Sequence, residues 1–298
     1  MRRVAADYLL PADPVDRSRF YIPEHITPLH YSARFRALPW EKRLAYNQTH
    51  ALYFNELVLF FEDVLAETVL GALLEGALPP ALAARLEAFR WEEARHAEMF
   101  RALNRACAPD LYARTDFHFL RLPPGGRAAF LAAARRPGLF PMFFWLMILQ
   151  EDRSVYYSKE ILRERDALEP HFVAAHKIHM ADEAGHVKAD EELLARYWAG
   201  APAPLRRANA ALLRWILGEF FNTPKRAGWR VVEWWARGFK DEAARLAEWR
   251  AELRALEHSE GYHAALYSRE SAPAAFAGFD RWPELAGLGS ALRAYRPS

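Results

Sequence analysis

From about residue 41 onward, apolar positions recur at three- and four-residue intervals and strand-like alternation is nearly absent. The pattern predicts a long helix over about 42–75, a turn at EGALPP, and a helix over about 80–105. A Pro- and Gly-containing connection follows through 108–126. Next come a short helix near 125–135, a long helix over about 139–164, a turn at RDALEP and a helix over about 170–198. Beyond the break AGAPAP, residues 203–268 read as further helix and the last thirty residues as irregular. Residues 1–40, rich in Pro and aromatics, read as an extended arm over the body. The expectation is one all-α domain over 1–298. It comprises an arm (1–40), a four-helix bundle (41–198), and additional helices with an irregular tail (203–298).

One helix breaks the apolar rule. The stretch HKIHMADEAGHVKAD, residues 176–190, carries His176, His179, Glu183, His186 and Asp190 along a single stripe. At about 100° per residue, 179, 183 and 186 fall within an arc of roughly 60°, with 176 and 190 beside it. The 3, 4, 3, 4 spacing is the one that faces neighbouring helices in a bundle, so the seam is polar where it should be oily. Its polar atoms need a partner.

Composition narrows what that partner can be. The chain has 298 residues, is 52% hydrophobic, and can bury a sizeable core. Its oiliest stretch, FPMFFWLMILQ, stops at Glu151, short of the roughly 18 apolar residues of a membrane span. The N-terminus MRRVAADYLLPAD lacks the apolar stretch of a signal peptide, so a cytoplasmic location is expected. Forty basic and thirty-eight acidic residues are interspersed, which does not indicate a nucleic-acid partner. No Gly-rich phosphate fingerprint appears. The single cysteine, Cys107, excludes an internal disulfide and a thiolate cluster, so any metal must be held by His and carboxylate.

The two long helix pairs form a pseudo-repeat: Glu62 with Glu93 and His96, then Glu151 with Glu183 and His186. The Glu-x-x-His motif alone is weak, since chance supplies about one such pair in this composition. Glu260 and His263 form a third, which contains a Gly, has no matching helix pair and reads as that accident. Height in the bundle lifts the other two above accident. In an antiparallel hairpin, residues equidistant from the turn sit side by side. Glu93 then faces Glu62 and Glu183 faces Glu151, each about 24 Å from its turn. Glu56 and Glu67 compete for the first position but miss that level by about 8 to 9 Å.

Four Glu and two His inside a bundle cost several kcal/mol per ionised group unless a cation joins them. Carboxylate and imidazole without thiolate suit iron, with manganese as an alternative, and four carboxylates neutralise two divalent ions. Each ligand Glu is preceded by an acid, Glu92 before Glu93 and Asp182 before Glu183. Metal-bound His usually donates its second N–H to a carboxylate, so Glu92 is expected to reach His186 and Asp182 to reach His96. Arg95 either balances these charges or forms a surface ion pair.

On these residues the sequence resembles the ferritin-like di-iron carboxylate proteins, and within them the 4-aminobenzoate N-oxygenase family. The narrower resemblance rests on a His-x3-Glu-x2-His arrangement, matched by His179, Glu183 and His186. It implies a ferritin-like bundle and two iron ions held by Glu62, Glu93, His96, Glu151, His179, Glu183 and His186. It makes the His179 stripe three ligands to one iron, with His176 and Asp190 as flanking polar residues. It further implies an O2-dependent oxygenase that passes through a peroxo-di-ferric species and oxidises a small aromatic amine to hydroxylamine or nitro product.

No flavin, haem or iron–sulfur signature accompanies these residues, so the electrons are expected from an external donor or from the substrate itself. C–H hydroxylation or desaturation at the same site is the alternative reaction, and a ferroxidase or iron-binding bundle is a further one. Phe143, Phe144, Trp145, Met147, Tyr156 and Tyr157 flank Glu151 and can shape an aromatic substrate slot, although core packing alone also accounts for them. The segment GWRVVEWWARGF, 228–239, is open to capping the site, forming a homodimer surface or ordinary packing.

Overall fold

The computed structural model describes residues 10–221 and 226–296. The bundle is built from two hairpins. The first pairs α1 (Trp40–Leu59), which runs through a π-helical turn at Phe60–Ala66 into α2 (Glu67–Leu74), with α3 (Pro80–Cys107). After the short α4 (Pro124–Ala134), the second pairs α5 (Met142–Arg163) with α6 (Pro170–Leu193), whose last turn widens at Leu194–Trp198. Around this core lie α7 (Ala203–Ile216), α8 (Arg226–Ala236), α9 (Leu246–Ala255), α10 (Glu260–Leu266) and α11 (Pro273–Asp280). Among the described residues no strand forms, and no helix is long and apolar enough to cross a membrane.

Local chemistry sets where α6 starts. Pro170 occupies its first turn, and the Glu169 carboxylate caps it, accepting from the backbone N–H of His171 at 2.8 Å and Phe172 at 3.1 Å. The same carboxylate accepts from the N–H of Asp16 at 3.2 Å, and the N–H of Glu169 bonds the Phe20 carbonyl at 2.9 Å. The N-terminal arm is thereby tied to the α5–α6 turn. Further along the arm, Asn47 bonds the N–H of Tyr21 and the carbonyl of Ile22, and Tyr21, Ile22, Ile26 and Leu29 are buried. The first nine residues of the expected arm lie outside the described ones.

The last thirty residues are not irregular as the sequence suggests. They form α11 and a 3-10 helix at Pro283–Ser290, which bury Phe276, Phe279, Leu285 and Leu288 in the core that holds Phe143, Phe144 and Trp145. Their Pro and Gly content hides the helix, yet Pro273 sits at a helix start and Gly278 at a close approach. A Cβ on Gly278 would meet the Trp145 ring at 2.6 Å. The 228–239 segment packs as ordinary core: Trp235 is buried against Tyr46 and Trp249, and its indole N–H bonds the Lys42 carbonyl at 2.9 Å.

Candidate metal centre

Glu62 lies on the π-helical turn, Glu93 and His96 on α3, Glu151 on α5, and His179, Glu183 and His186 on α6; all seven are buried. The N–H of Glu67 reaches back five residues to the Glu62 carbonyl, which widens the helix at this point. Such single wide turns re-aim side chains and are frequent at functional sites. Glu56, one of the two competing acids, faces elsewhere: it accepts from the Tyr112 hydroxyl and from the backbone N–H of His118, Phe119 and Leu120. The other, Glu67, forms a bidentate pair with Arg90 at a part-exposed site.

The ligand-type atoms converge as two overlapping groups, Glu62 with His96, His179 and Glu183, and Glu93 with His96, Glu183 and His186. His179 Nε2 is 2.7 Å from both Glu62 Oε1 and Glu183 Oε1. His186 Nδ1 is 2.9 Å from Glu93 Oε1 and 3.6 Å from Glu183 Oε2. Glu183 therefore spans the two groups, one oxygen toward each, and His96 Nδ1 lies 3.9 Å from Glu93 Oε1 and 3.8 Å from Glu183 Oε1. Glu151 stands just outside both groups, with Oε2 3.9 Å from His186 Nδ1.

His96 and Glu183 belong to both groups, while His179 belongs to the first and His186 to the second.

The outward faces of the imidazoles are all engaged. His186 Nε2 lies 3.1 Å from Glu92 Oε2, His96 Nε2 lies 3.2 Å from Asp182 Oδ2, and His179 Nδ1 lies 3.2 Å from Ser154 Oγ. A proton held on each outward nitrogen leaves the inward lone pair free to ligate. Ring packing fixes the planes: Phe89 stacks on His186 at 4.0 Å and Phe100 meets His179 edge-on at 5.1 Å. Arg95 forms an i,i+3 ion pair with Glu98. His176 is buried beside Ser158, and burial pushes its imidazole down to about 3. Asp190 is fully buried, with neither oxygen hydrogen-bonded.

The residues fit a pair of cations. Both oxygens of Glu93 and Glu183 and Oε2 of Glu62 are buried without a hydrogen bond of good geometry, an arrangement that costs several kcal/mol per group unless a cation joins them. The protonation pattern has the same origin. Burial pushes Glu62 up to about 7 against the pull of His179, and burial followed by the Glu183 charge pushes Glu151 well up. Burial opposes ionisation of Glu183, but the imidazoles, His179 foremost, outweigh it and hold Glu183 well below the usual carboxylate range. Burial likewise disfavours charge on His179 and His186, yet their carboxylates raise both well above the ordinary imidazole value. A site that stores protons in this way releases them when a metal binds.

A cavity of about 30 Å³ opens on this centre, lined by Glu62, Glu151 and His179 together with Phe54, Leu57, Val58, Phe61, Gln150, Arg153 and Ser154. Four residues of the expected slot do not line it. Phe143 packs on Phe130, Phe144 on Tyr197, Trp145 on Trp198 and Phe279, and Met147 is buried in the same core. They lie on the N-terminal side of Glu151, which the tail helices fill. Tyr157 lines a second cavity of about 50 Å³ further out, while Tyr156 is half-buried beside it in the chain. The lining from α1 went unpredicted, although Phe54, Val58 and Phe61 share the helical face of Glu62 by spacing.

A profile of the family described as P-aminobenzoate N-oxygenase AurF matches residues 10–265. A search of curated proteins found no match. The chain therefore belongs to the p-aminobenzoate N-oxygenase AurF family, whose members are non-haem di-iron oxidoreductases on a ferritin-like bundle.

Proposed function

We propose that this chain oxidises the amine nitrogen of a small aromatic amine, to hydroxylamine or nitro product, using O2 and electrons from a separate donor. In this reading Glu62, Glu93, His96, Glu151, His179, Glu183 and His186 would together hold the two irons. The di-iron pair, when bound, supplies O2 activation. The protein's own groups do the rest. Glu92, Asp182 and Ser154 keep the imidazoles in the ligating tautomer, and the surrounding Phe side chains exclude water.

The observation that carries the reading is the cavity beside Glu62, Glu151 and His179, whose wall adds Phe54, Leu57, Val58 and Phe61 to the polar Gln150, Arg153 and Ser154. In this reading an arylamine ring lies against the apolar part of that wall, with its nitrogen toward the ligands. The test is iron content per chain, followed by product mass spectrometry after incubating iron-loaded protein with 4-aminobenzoate and related arylamines, reductant and O2. Hydroxylamine, nitroso or nitro products that disappear in Glu183→Ala support the reading. Ring- or side-chain-hydroxylated products alone would replace it with C–H hydroxylation, and no organic product beside rapid iron oxidation would replace it with a ferroxidase.

A further inference from the structure

We propose that Arg153 anchors the acid group of an anionic aromatic amine at the junction of the two cavities, so that the far end of the ring faces the metal ligands. The inference deepens the function proposed above and assumes the same substrate site.

Arg153 sits on α5, two residues after Glu151, and only 9% of its surface is exposed. A buried guanidinium is normally matched by a carboxylate, because the unpaired charge costs several kcal/mol. Among the described residues no carboxylate lies within ion-pairing distance of it. Nη1 donates to the Tyr267 hydroxyl at 2.9 Å, and the guanidinium carbon lies 4.7 Å from the Tyr157 ring centre and 4.9 Å from that of Tyr267. These ring contacts offset part of the burial cost. Nε, fully buried, donates to nothing.

Position gives the unmatched charge a use. The inner cavity touches Glu62, Glu151 and His179, and the outer one is walled by Tyr31, Tyr157 and Tyr262. Leu57 and Arg153 are the residues that line both. A ring bridging this junction would lie on Leu57 and Phe54 and present its acid to the guanidinium, whose planar fork matches a carboxylate. Neutral amines would leave the charge as it is.

The decisive experiment is calorimetric titration of iron-loaded, unreduced protein with 4-nitrobenzoate and with its neutral isostere 4-nitrobenzamide. A charge-assisted hydrogen bond predicts that the acid binds about ten- to a hundredfold tighter than the amide. Arg153→Gln should reduce acid binding to the level of the amide, and Arg153→Lys should keep part of the preference. Equal binding of acid and amide by the parent protein, binding of neither, or a preference that survives Arg153→Gln would each overturn the anchor. Should Arg153→Gln fail to fold by circular dichroism, the acid–amide ratio in the parent and in Arg153→Lys still decides. Arg153-dependent acid binding without N-oxidation would keep the anchor and remove the proposed reaction. N-oxidation of acid and neutral amines at equal kcat/KM would keep the reaction and remove the anchor.

Discussion

Glu56 offers a sharp test of how the carboxylates are divided between metal and backbone. It is fully buried one to two turns before Glu62, and its two oxygens accept from four donors. Oε1 takes the Tyr112 hydroxyl at 2.8 Å and the His118 N–H at 2.8 Å; Oε2 takes the N–H of Phe119 at 2.9 Å and of Leu120 at 2.7 Å. The carboxylate thus staples the 112–120 connection to α1. Glu56→Gln keeps the volume but turns one acceptor into a donor. The best arrangement puts the amide NH2 at the Oε1 position, where Tyr112 can rotate and accept while the His118 N–H is left facing a donor. One buried donor goes unsatisfied and two remaining bonds lose their charge assistance, a combined loss of about 3 kcal/mol. With a urea slope of roughly 3 kcal/mol per M, the unfolding midpoint should fall by about 1 M, followed by tryptophan fluorescence. Iron content per chain should not change. An unchanged midpoint, or lost iron at an unchanged midpoint, would refute this division and return Glu56 to the ligand set.

Glu92→Ala removes the acceptor for His186 Nε2 and should weaken iron binding about 10- to 100-fold, measured by competition with a chelator, while helix content by circular dichroism is retained. Gly278→Ala gains about 1 kcal/mol of helix propensity but pushes a methyl into the Trp145 ring, so a net loss of about 1 kcal/mol is expected in urea. Burial foremost, aided by Arg153, drives His50 down to about 3 from an unfolded value of 6.5, so the unfolded chain binds the extra proton between those values. The stability that neutral His50 provides is complete above pH 6.5 and is lost as the pH falls toward 3, about 2 kcal/mol of it by pH 5. His50→Asn should flatten the stability-versus-pH curve by that amount over this interval, and an unchanged slope would contradict it.

Much of this was legible because bundle geometry is periodic. Helix register alone pairs Glu62 with Glu93 and Glu151 with Glu183 at one level of the bundle, and the structure brings these residues together with His96, His179 and His186. The cross-bundle contacts of Glu92 and Asp182 follow from the same register. Ser154 was readable too and was missed: it lies one turn beyond Glu151 and level with His179, which it touches. His179, Glu183 and His186 fall on one face of α6, and that angle does not by itself show that Glu183 belongs to both groups of ligand-type atoms.

What local periodicity could not supply was the side on which the centre opens. On α5 the residues on both sides of Glu151 are large and apolar enough to wall a slot, and nothing within the helix distinguishes them. The choice is made more than a hundred residues later, where Gly278 lets α11 approach Trp145 and brings Phe276 and Phe279 into the same core as Phe143 and Phe144. That packing closes the N-terminal side of Glu151. On the C-terminal side the cavity lining includes Arg153 and Ser154, and the ring there is Tyr157. The tail that reads as irregular therefore helps determine the side on which the centre opens, and on that side Arg153 lines both cavities.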